Sequence, residues 1–274
     1  MSQIALPLPS ISDSHRLATI DAHIVRAHSR LGGLVEDVGP LRLFTNPRYG
    51  WSFFNCARQV AAIADSQVDG LIRSVVRYYD TCGGRPAWEV SATRAPHLLP
   101  ARLAAAGFVL DRDETLLTRP LVGPLGYPPA LPSGVQLAPI GEPSLDIFVS
   151  AWRQGFAVGA DTNLMAVRAL FADDLAAGWE FWCATRDERA IGTVAGLTFD
   201  GVTQIANVST IPSERGRGVA STLVSHVITR AAARGGRLVY LHAATASAAE
   251  GLYRGLGFAP LEQTLTYVRD RQGG

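Results

Sequence analysis

Six consecutive residues, Arg215, Gly216, Arg217, Gly218, Val219 and Ala220, have the composition of an anion-binding loop. Glycines let the backbone approach a ligand, successive N–H groups turn inward, and a helix N-terminus adds partial positive charge. Two arginines add charge suited to phosphate. Taken alone, such a run serves a structural turn as readily as a ligand loop. Other chemistry-bearing residue types are scattered. His15, His23 and His28 fall on an expected N-terminal helix, but their spacing does not bring them to one face as metal ligands, and a solvated face is expected for them. Cys56, Cys82 and Cys183 are odd in number and far apart, which fits neither a disulfide framework nor a metal cluster. No metal site is expected, and a reducing cytoplasm is the expected setting. Trp51, Phe53 and Phe54 read as strand core rather than a base-stacking platform, and Asp173 and Asp174 as a charged helix face. No Ser/His/Asp or Cys/His set stands out.

The elements around the loop are readable in the second half of the chain. Residues 135–140 alternate as a short strand, and Ser144 is placed to cap a helix carrying Phe148 and Trp152. A second helix is expected over 164–175, then three strands over 179–185, 191–199 and 202–210. After Pro212 the glycine loop opens a helix reaching about residue 233. A strand over 238–242 follows, then a short helix that Ser247 and Glu250 open with capping-box spacing, then a last strand over 264–268. The expected order is β, α, α, β, β, β, α, β, α, β.

Composition bounds the whole. The 274 residues are 47% hydrophobic and 18% charged, with 25 basic against 24 acidic residues and a mean hydropathy of +0.13. That balance excludes a disordered chain and argues against a dedicated nucleic-acid binder. No apolar run approaches the ~20 residues of a membrane helix, and residues 1–10 lack the basic start and apolar core of a signal peptide. Every basic residue is arginine, which reads as high-GC codon usage and so as a bacterial source.

Five prolines over 120–134 mark a stiff extended connector between residues 1–119 and 135–274. Displaced by 150 positions, the first half falls on the second: Gly107-Phe108 meets Gly257-Phe258, Arg119 meets Arg269, the strand over 88–91 meets 238–241, and the amphipathic run 71–79 meets 221–229. Coincidence of element type, order and length indicates two copies of one fold.

With the loop set among these elements, residues 135–270 resemble the GNAT superfamily of N-acetyltransferases. Arg215, Gly218 and Ala220 match that family's Arg/Gln-x-x-Gly-x-Gly/Ala between a strand and a long helix, with Pro212 ahead of it. Leu252-Tyr253 followed after three residues by Gly257-Phe258 matches its downstream motif. The fold this implies is α/β (α+β), two tandem acyl-CoA N-acyltransferase-like lobes, each a twisted mixed sheet flanked by helices.

The resemblance implies acetyl-CoA as cofactor. Pantetheine would lie where the strand at 208–211 splays from 238–242, held by N–H groups near Thr210 and Ile211, with pyrophosphate on Gly216, Arg217, Gly218, Val219 and Ala220. It implies that Tyr253 protonates the leaving thiolate. The family's Asn at the start of the Tyr-bearing helix is absent, since Thr245-Ala246-Ser247 stands there. An amine nucleophile needs a proton acceptor. His242 is the first candidate beside a satisfied structural histidine, Glu180 is a weaker one, and Asn207 and Ser209 either orient substrate or alternate on one strand face. Under the same displacement, Asp65-Ser66-Gln67-Val68-Asp69-Gly70 replaces the loop and Leu103 replaces Tyr253. Two carboxylates would repel pyrophosphate, so the first lobe is expected to be degenerate, with one coenzyme A per chain. The expected activity is acetyl transfer to a small-molecule or peptide amine, without nucleic acid or membrane, by a monomer or homodimer. A non-catalytic acyl-CoA-binding or partner-binding module is the alternative.

Overall fold

The computed structural model describes residues 12–123 and 130–269. Pro124, Pro128 and Pro129 of the expected connector lie outside the described residues, as do residues 1–10. The first half builds α1 (Asp13–Arg30), β1 (Leu34–Val38), β2 (Leu41–Thr45), β3 (Ala57–Gln59), α2 (Val68–Cys82), β4 (Ala87–Ser91), α3 (Leu99–Ala105) and β5 (Phe108–Pro120). The second builds β6 (Gln136–Ile140), α4 (Leu145–Gly155), α5 (Leu164–Ala176), β7 (Trp179–Arg186), β8 (Arg189–Phe199), β9 (Val202–Thr210), α6 (Val219–Ala233), β10 (Leu238–Ala244), α7 (Ala248–Gly255) and β11 (Ala259–Arg269). The second-half order is the one expected from sequence, although the last strand begins at Ala259 rather than at 264.

Local chemistry explains several ends. Ser247 caps α7 by accepting from the Glu250 N–H (3.2 Å), and the Glu250 carboxylate reaches back to the N–H of Ala246 (2.7 Å), one residue before the cap, a variant of the capping box. Asn163 caps α5 by accepting from the Ala166 N–H. Ser144 stands before α4 but donates to the Gly141 carbonyl and accepts from its N–H instead.

The halves do not form separate sheets. All strands join in one eleven-stranded sheet of order β1-β2-β3-β4-β11-β5-β10-β9-β8-β7-β6. The last strand of each half crosses over: β5 lies antiparallel to β10, and β11 antiparallel to β4, while β5 and β11 pair along the middle. The division at 119/120 therefore separates the chain and not the sheet.

Strand alternation sorts the core onto two faces. On one, α6 and α7 pack on Val239, Leu241 and Leu117, and α2 and α3 pack on Trp88, Val90 and Tyr267. On the other, α1 spans both halves, covering Tyr240 and Leu116 with Ile20, and Ala87 and Phe44 with Ile24 and Val25. The pair α4–α5 covers Phe181, Cys183 and Ala195 on that same face, and Leu31, Tyr49 and Phe54 from the first half join its core.

Candidate acyl-CoA and acceptor site

The central parallel pair opens like a V. The strands β9 and β10 pair at Val202–Leu238, Thr203–Val239 and Gln204–Tyr240, and beyond these they part. A bulge in β9 opposite Thr193 and Ala195 puts Asn207 at φ 54, a left-handed conformation that Asn tolerates better than most residues. The Asn207 carbonyl accepts from Thr193 Oγ1 (2.7 Å), and its side-chain oxygen accepts from Trp152 Nε1–H of α4 (3.2 Å).

Beyond the bulge, the Ile211 N–H donates to the Ile191 carbonyl at 3.0 Å. Alternation along an antiparallel ladder then turns the N–H of Thr210 the other way, toward the gap. Thr210 Oγ1, on the α6 face of β9 where its neighbour Gly192 meets Val219, is buried without a hydrogen-bond partner among the described residues. This corrects the expectation for Ile211, whose N–H is consumed by the sheet, and leaves the Thr210 N–H turned toward the opening.

The glycine loop follows the short turn at Pro212–Glu214. Gly216 and Gly218 adopt φ +73 and +80, where a side chain would be strained, and nothing stands within 4 Å of a Cβ built on Gly216. The loop's N–H groups precede or begin α6, where helical partners are lacking. Arg215 does not aim at this concavity. Its guanidinium donates to the Gly155 carbonyl at the end of α4 (2.8 Å) and to the Thr210 carbonyl (3.3 Å), tying the loop to β9 and α4. Arg217 remains exposed, 3.6 Å from Glu214.

A family model for the Acetyltransferase (GNAT) family matches residues 146–258, a span from α4 to the end of α7. The second lobe is a GNAT-family domain. A curated relative, N-acetyltransferase 8B of Homo sapiens, is 34% identical over 95 residues, which cover 32% of this chain and 42% of that protein. The chain thus matches less than half of that relative's length. Among solved structures, a GCN5-related N-acetyltransferase from Kribbella flavida superposes with TM-score 0.68 at 18% identity, covering 97% of this chain and 98% of that one. A tandem GNAT protein from the clavulanic acid biosynthesis pathway superposes with TM-score 0.59 at 16% identity, covering 85% and 79%. At these identities the likeness is one of fold, and it extends over both lobes.

In the GNAT domain, Tyr253 of α7 is buried against Phe258, in the cluster that holds Leu241, Ala243 and Val208 on the α6–α7 side of the gap. Burial pushes its hydroxyl up to about 12, so it keeps its proton. His242 faces the opposite side, beyond Tyr240 on the same face of β10. Burial lowers its imidazole below the ordinary value, against the carboxylates of Glu114 and Glu89 that raise it, with Arg58 and Arg112 lowering it further.

The remaining expectations divide. Glu180 is on the α6 face: it pairs with Arg230 (3.1 Å) and Arg234 (2.5 Å), which hold its carboxyl below the usual range against the opposing effect of burial. It cannot reach an acceptor on the α4–α5 side. Ser209 is buried under α4 so closely that a Cβ on Gly155 would come within 2.4 Å of its Oγ, and it bonds Thr193 (2.7 Å). Packing, not substrate, accounts for it.

His23 and His28 are buried rather than solvated. His23 stacks on Phe199 at 3.9 Å with its Nδ1 3.0 Å from the Tyr240 hydroxyl, and His28 Nε2 donates to the Thr45 carbonyl (3.0 Å). Trp51, Phe53 and Phe54 lie in turns, not a strand, and only Phe54 of the three is buried. Asp174 is buried with its carboxyl pushed up to about 8 by that burial and by Asp173, which itself binds Arg48 (2.6 Å) and the Tyr49 hydroxyl.

What sequence reading missed comes from the first half. Residues 46–55 cross to α4–α5 through Tyr49 and Phe54, and between those anchors Ser52 accepts from Arg112 of β5 (3.4 Å). Glu114 of β5 stands opposite Ala244, two residues along the strand from Leu116, which is opposite His242. The only clue lay in the repeat, which identified 108–120 as a counterpart of the final strand without saying which lobe it would join.

Proposed function

We propose that the protein moves an acetyl group from acetyl-CoA to a primary amine, by direct attack within a ternary complex on the second lobe. One observation carries this reading: the gap between β9 and β10 leads to a loop whose two left-handed glycines sit at the N-terminus of α6. The residues suit the group. The partnerless Thr210 Oγ1 and the gap-facing Thr210 N–H offer polar contacts for pantetheine. The N–H groups of Gly216, Arg217, Gly218, Val219 and Ala220 suit a pyrophosphate, with Arg217 adding charge and Arg215 positioning the loop through Gly155. Acetyl-CoA supplies the activated acetyl group.

Tyr253 holds a proton at its hydroxyl on one side of the gap and donates it to the departing sulfur. His242, neutral at pH 7 because burial lowers its basicity, receives the amine's proton on the other side. The first lobe closes the acceptor side and binds no coenzyme A.

Titration calorimetry with acetyl-CoA and a thiol-release assay over a panel of primary amines test the reading. One acetyl-CoA per chain and amine-dependent thiol release are expected. Tyr253→Phe should lower kcat about 10²-fold, the usual scale for a lost general acid, with acetyl-CoA affinity unchanged. Affinity without thiol release for any amine would instead mark a binding module, and two acetyl-CoA per chain would restore the first lobe as a site.

A further inference from the structure

The side chains of Arg112 and Glu114 are the least committed charges near His242. Each is 31% exposed, and Arg112 Nε lies 3.4 Å from Glu114 Oε2, long for an ion pair. Arg112 Nε is buried with no hydrogen-bond partner among the described residues. Its other polar neighbours are Ser52 Oγ at 3.4 Å and Asp111 Oδ2 at 3.9 Å. Pairs that fasten the lobes together are much closer, such as Arg94–Glu262 at 2.7 Å and Arg48–Asp173 at 2.6 Å. A nearby half-buried pair, Arg58–Glu89, is also closed at 3.1 Å, with Arg58 stacked over Phe44. Arg112 and Glu114 are thus a loosely closed pair, partly open to solvent, whose guanidinium retains a buried donor without an acceptor.

Their order along β5 matters. Glu114 stands nearer the gap, opposite Ala244 and diagonal to His242, and Arg112 lies two residues further toward Ser52. A carboxylate beside the gap suits an ammonium. A planar guanidinium one step away suits a carboxylate, which it binds through two parallel N–H groups. Resting on the acetyl-transfer reading above, we propose that the acceptor is an α-amino acid or a molecule ending in one, its ammonium taken by Glu114 and its carboxylate by Arg112. The strand exchange makes this recognition possible, because both residues belong to the first half of the chain and reach the second lobe's site only on β5.

The experiment uses the full chain saturated with coenzyme A, which occupies the donor site without turnover. Binding of the twenty protein α-amino acids is screened by calorimetry, and the tightest binder is compared with its decarboxylated amine and its deaminated acid. The amino acid should bind at least tenfold more tightly than either. Arg112→Gln should remove its advantage over the amine while leaving the amine's affinity unchanged, and Glu114→Gln should remove its advantage over the acid. Thermal melting of both variants reports folding, and the amine's retained affinity for Arg112→Gln verifies an intact site. Binding of no amino acid, or a carboxylate preference that survives Arg112→Gln, overturns the proposal. Acetyl-CoA titration of the unloaded wild type separates the failures: if it does not bind, the transferase reading falls, and if it binds normally, only the acceptor assignment does.

Discussion

The two lobes are built on one plan and differ in what occupies corresponding places. In the second, β9 and β10 part and leave a gap. In the first, the corresponding strands β3 and β4 also pair in parallel, at Ala57–Trp88 and Arg58–Glu89, but Gln59 Nε2 reaches from β3 to the Arg94 carbonyl beyond β4 (3.1 Å) and to the Ala61 carbonyl (3.1 Å). The glycine loop before α6 has as its counterpart a turn at Asp65–Gln67, followed by α2 with Asp69 in its first turn. Where α7 carries Tyr253, α3 carries Leu103, and both are buried. Packing requires only an apolar body at that place, so Leu serves as well as Tyr, whereas proton transfer requires the hydroxyl. A fold persists on burial and backbone pairing; a site persists only while loop conformation and charge are kept.

The comparison is most directly broken by giving the second lobe the first lobe's charge. Gly216→Asp introduces a carboxylate into open space at a position where Asp tolerates positive φ. A like charge near 4 Å at an effective dielectric of about 20 costs ~4 kcal/mol, so acetyl-CoA affinity should fall about 10³-fold. Gly216→Asn should remain near wild type, and equal losses in calorimetry for both variants would point to loop geometry instead of charge.

A smaller effect concerns how the lobes are held together. His23 of α1 lies on the second lobe against Phe199 and Tyr240. Burial lowers its imidazole from 6.5 to about 4 in the folded chain, with Arg30 adding to the lowering and Asp200 opposing it. As pH falls from 6.5 toward 4, the unfolded chain takes up a proton that the folded chain refuses, so stability falls through that window. From pH 7 to 5 the loss from this residue is about 2 kcal/mol. Denaturant melts of wild type and His23→Phe at the two pH values should differ by that amount, and parallel pH dependences would remove His23 as the cause.

The smallest expected effect sharpens the contrast. Gln59→Ala removes the bridge across the first lobe's strands, costing about 1 kcal/mol. Acetyl-CoA stoichiometry should stay at one, because Asp65 and Asp69 still stand where the second lobe has its glycine loop. A second binding event would show that Gln59 alone closes that lobe.

Much of the frame was legible because it is written in local chemistry. Period-2 and helical patterns located the second-half elements, Ser247 and Glu250 announced α7, and the positive-φ positions of the loop needed Gly216 and Gly218. Other readings failed where a residue's surroundings come from distant chain. Alternation on β7 placed Glu180 on one of two faces without saying that α6 would cover it with Arg230 and Arg234. His23 and His28 read as solvated because α1's own sequence does not show that it covers both lobes. Ile211 shared a motif-based role with Thr210, and only the register with Ile191 separated the two.

The sequence by itself determined the element order of the second half, the two-copy plan, the family of the second lobe and the absence of the glycine loop and tyrosine from the first. Each depends on residue types at short spacing, where glycine conformation, capping and amphipathic period act within a few residues. Tertiary structure alone decided the exchange of β5 and β11, and with it the arrival of Arg112 and Glu114 on the strand that borders β10 and His242. Backbone N–H and C=O groups are alike in every strand, so a strand's sequence says that it must pair but not with which partner. That choice is made by the packing of both faces over the whole sheet.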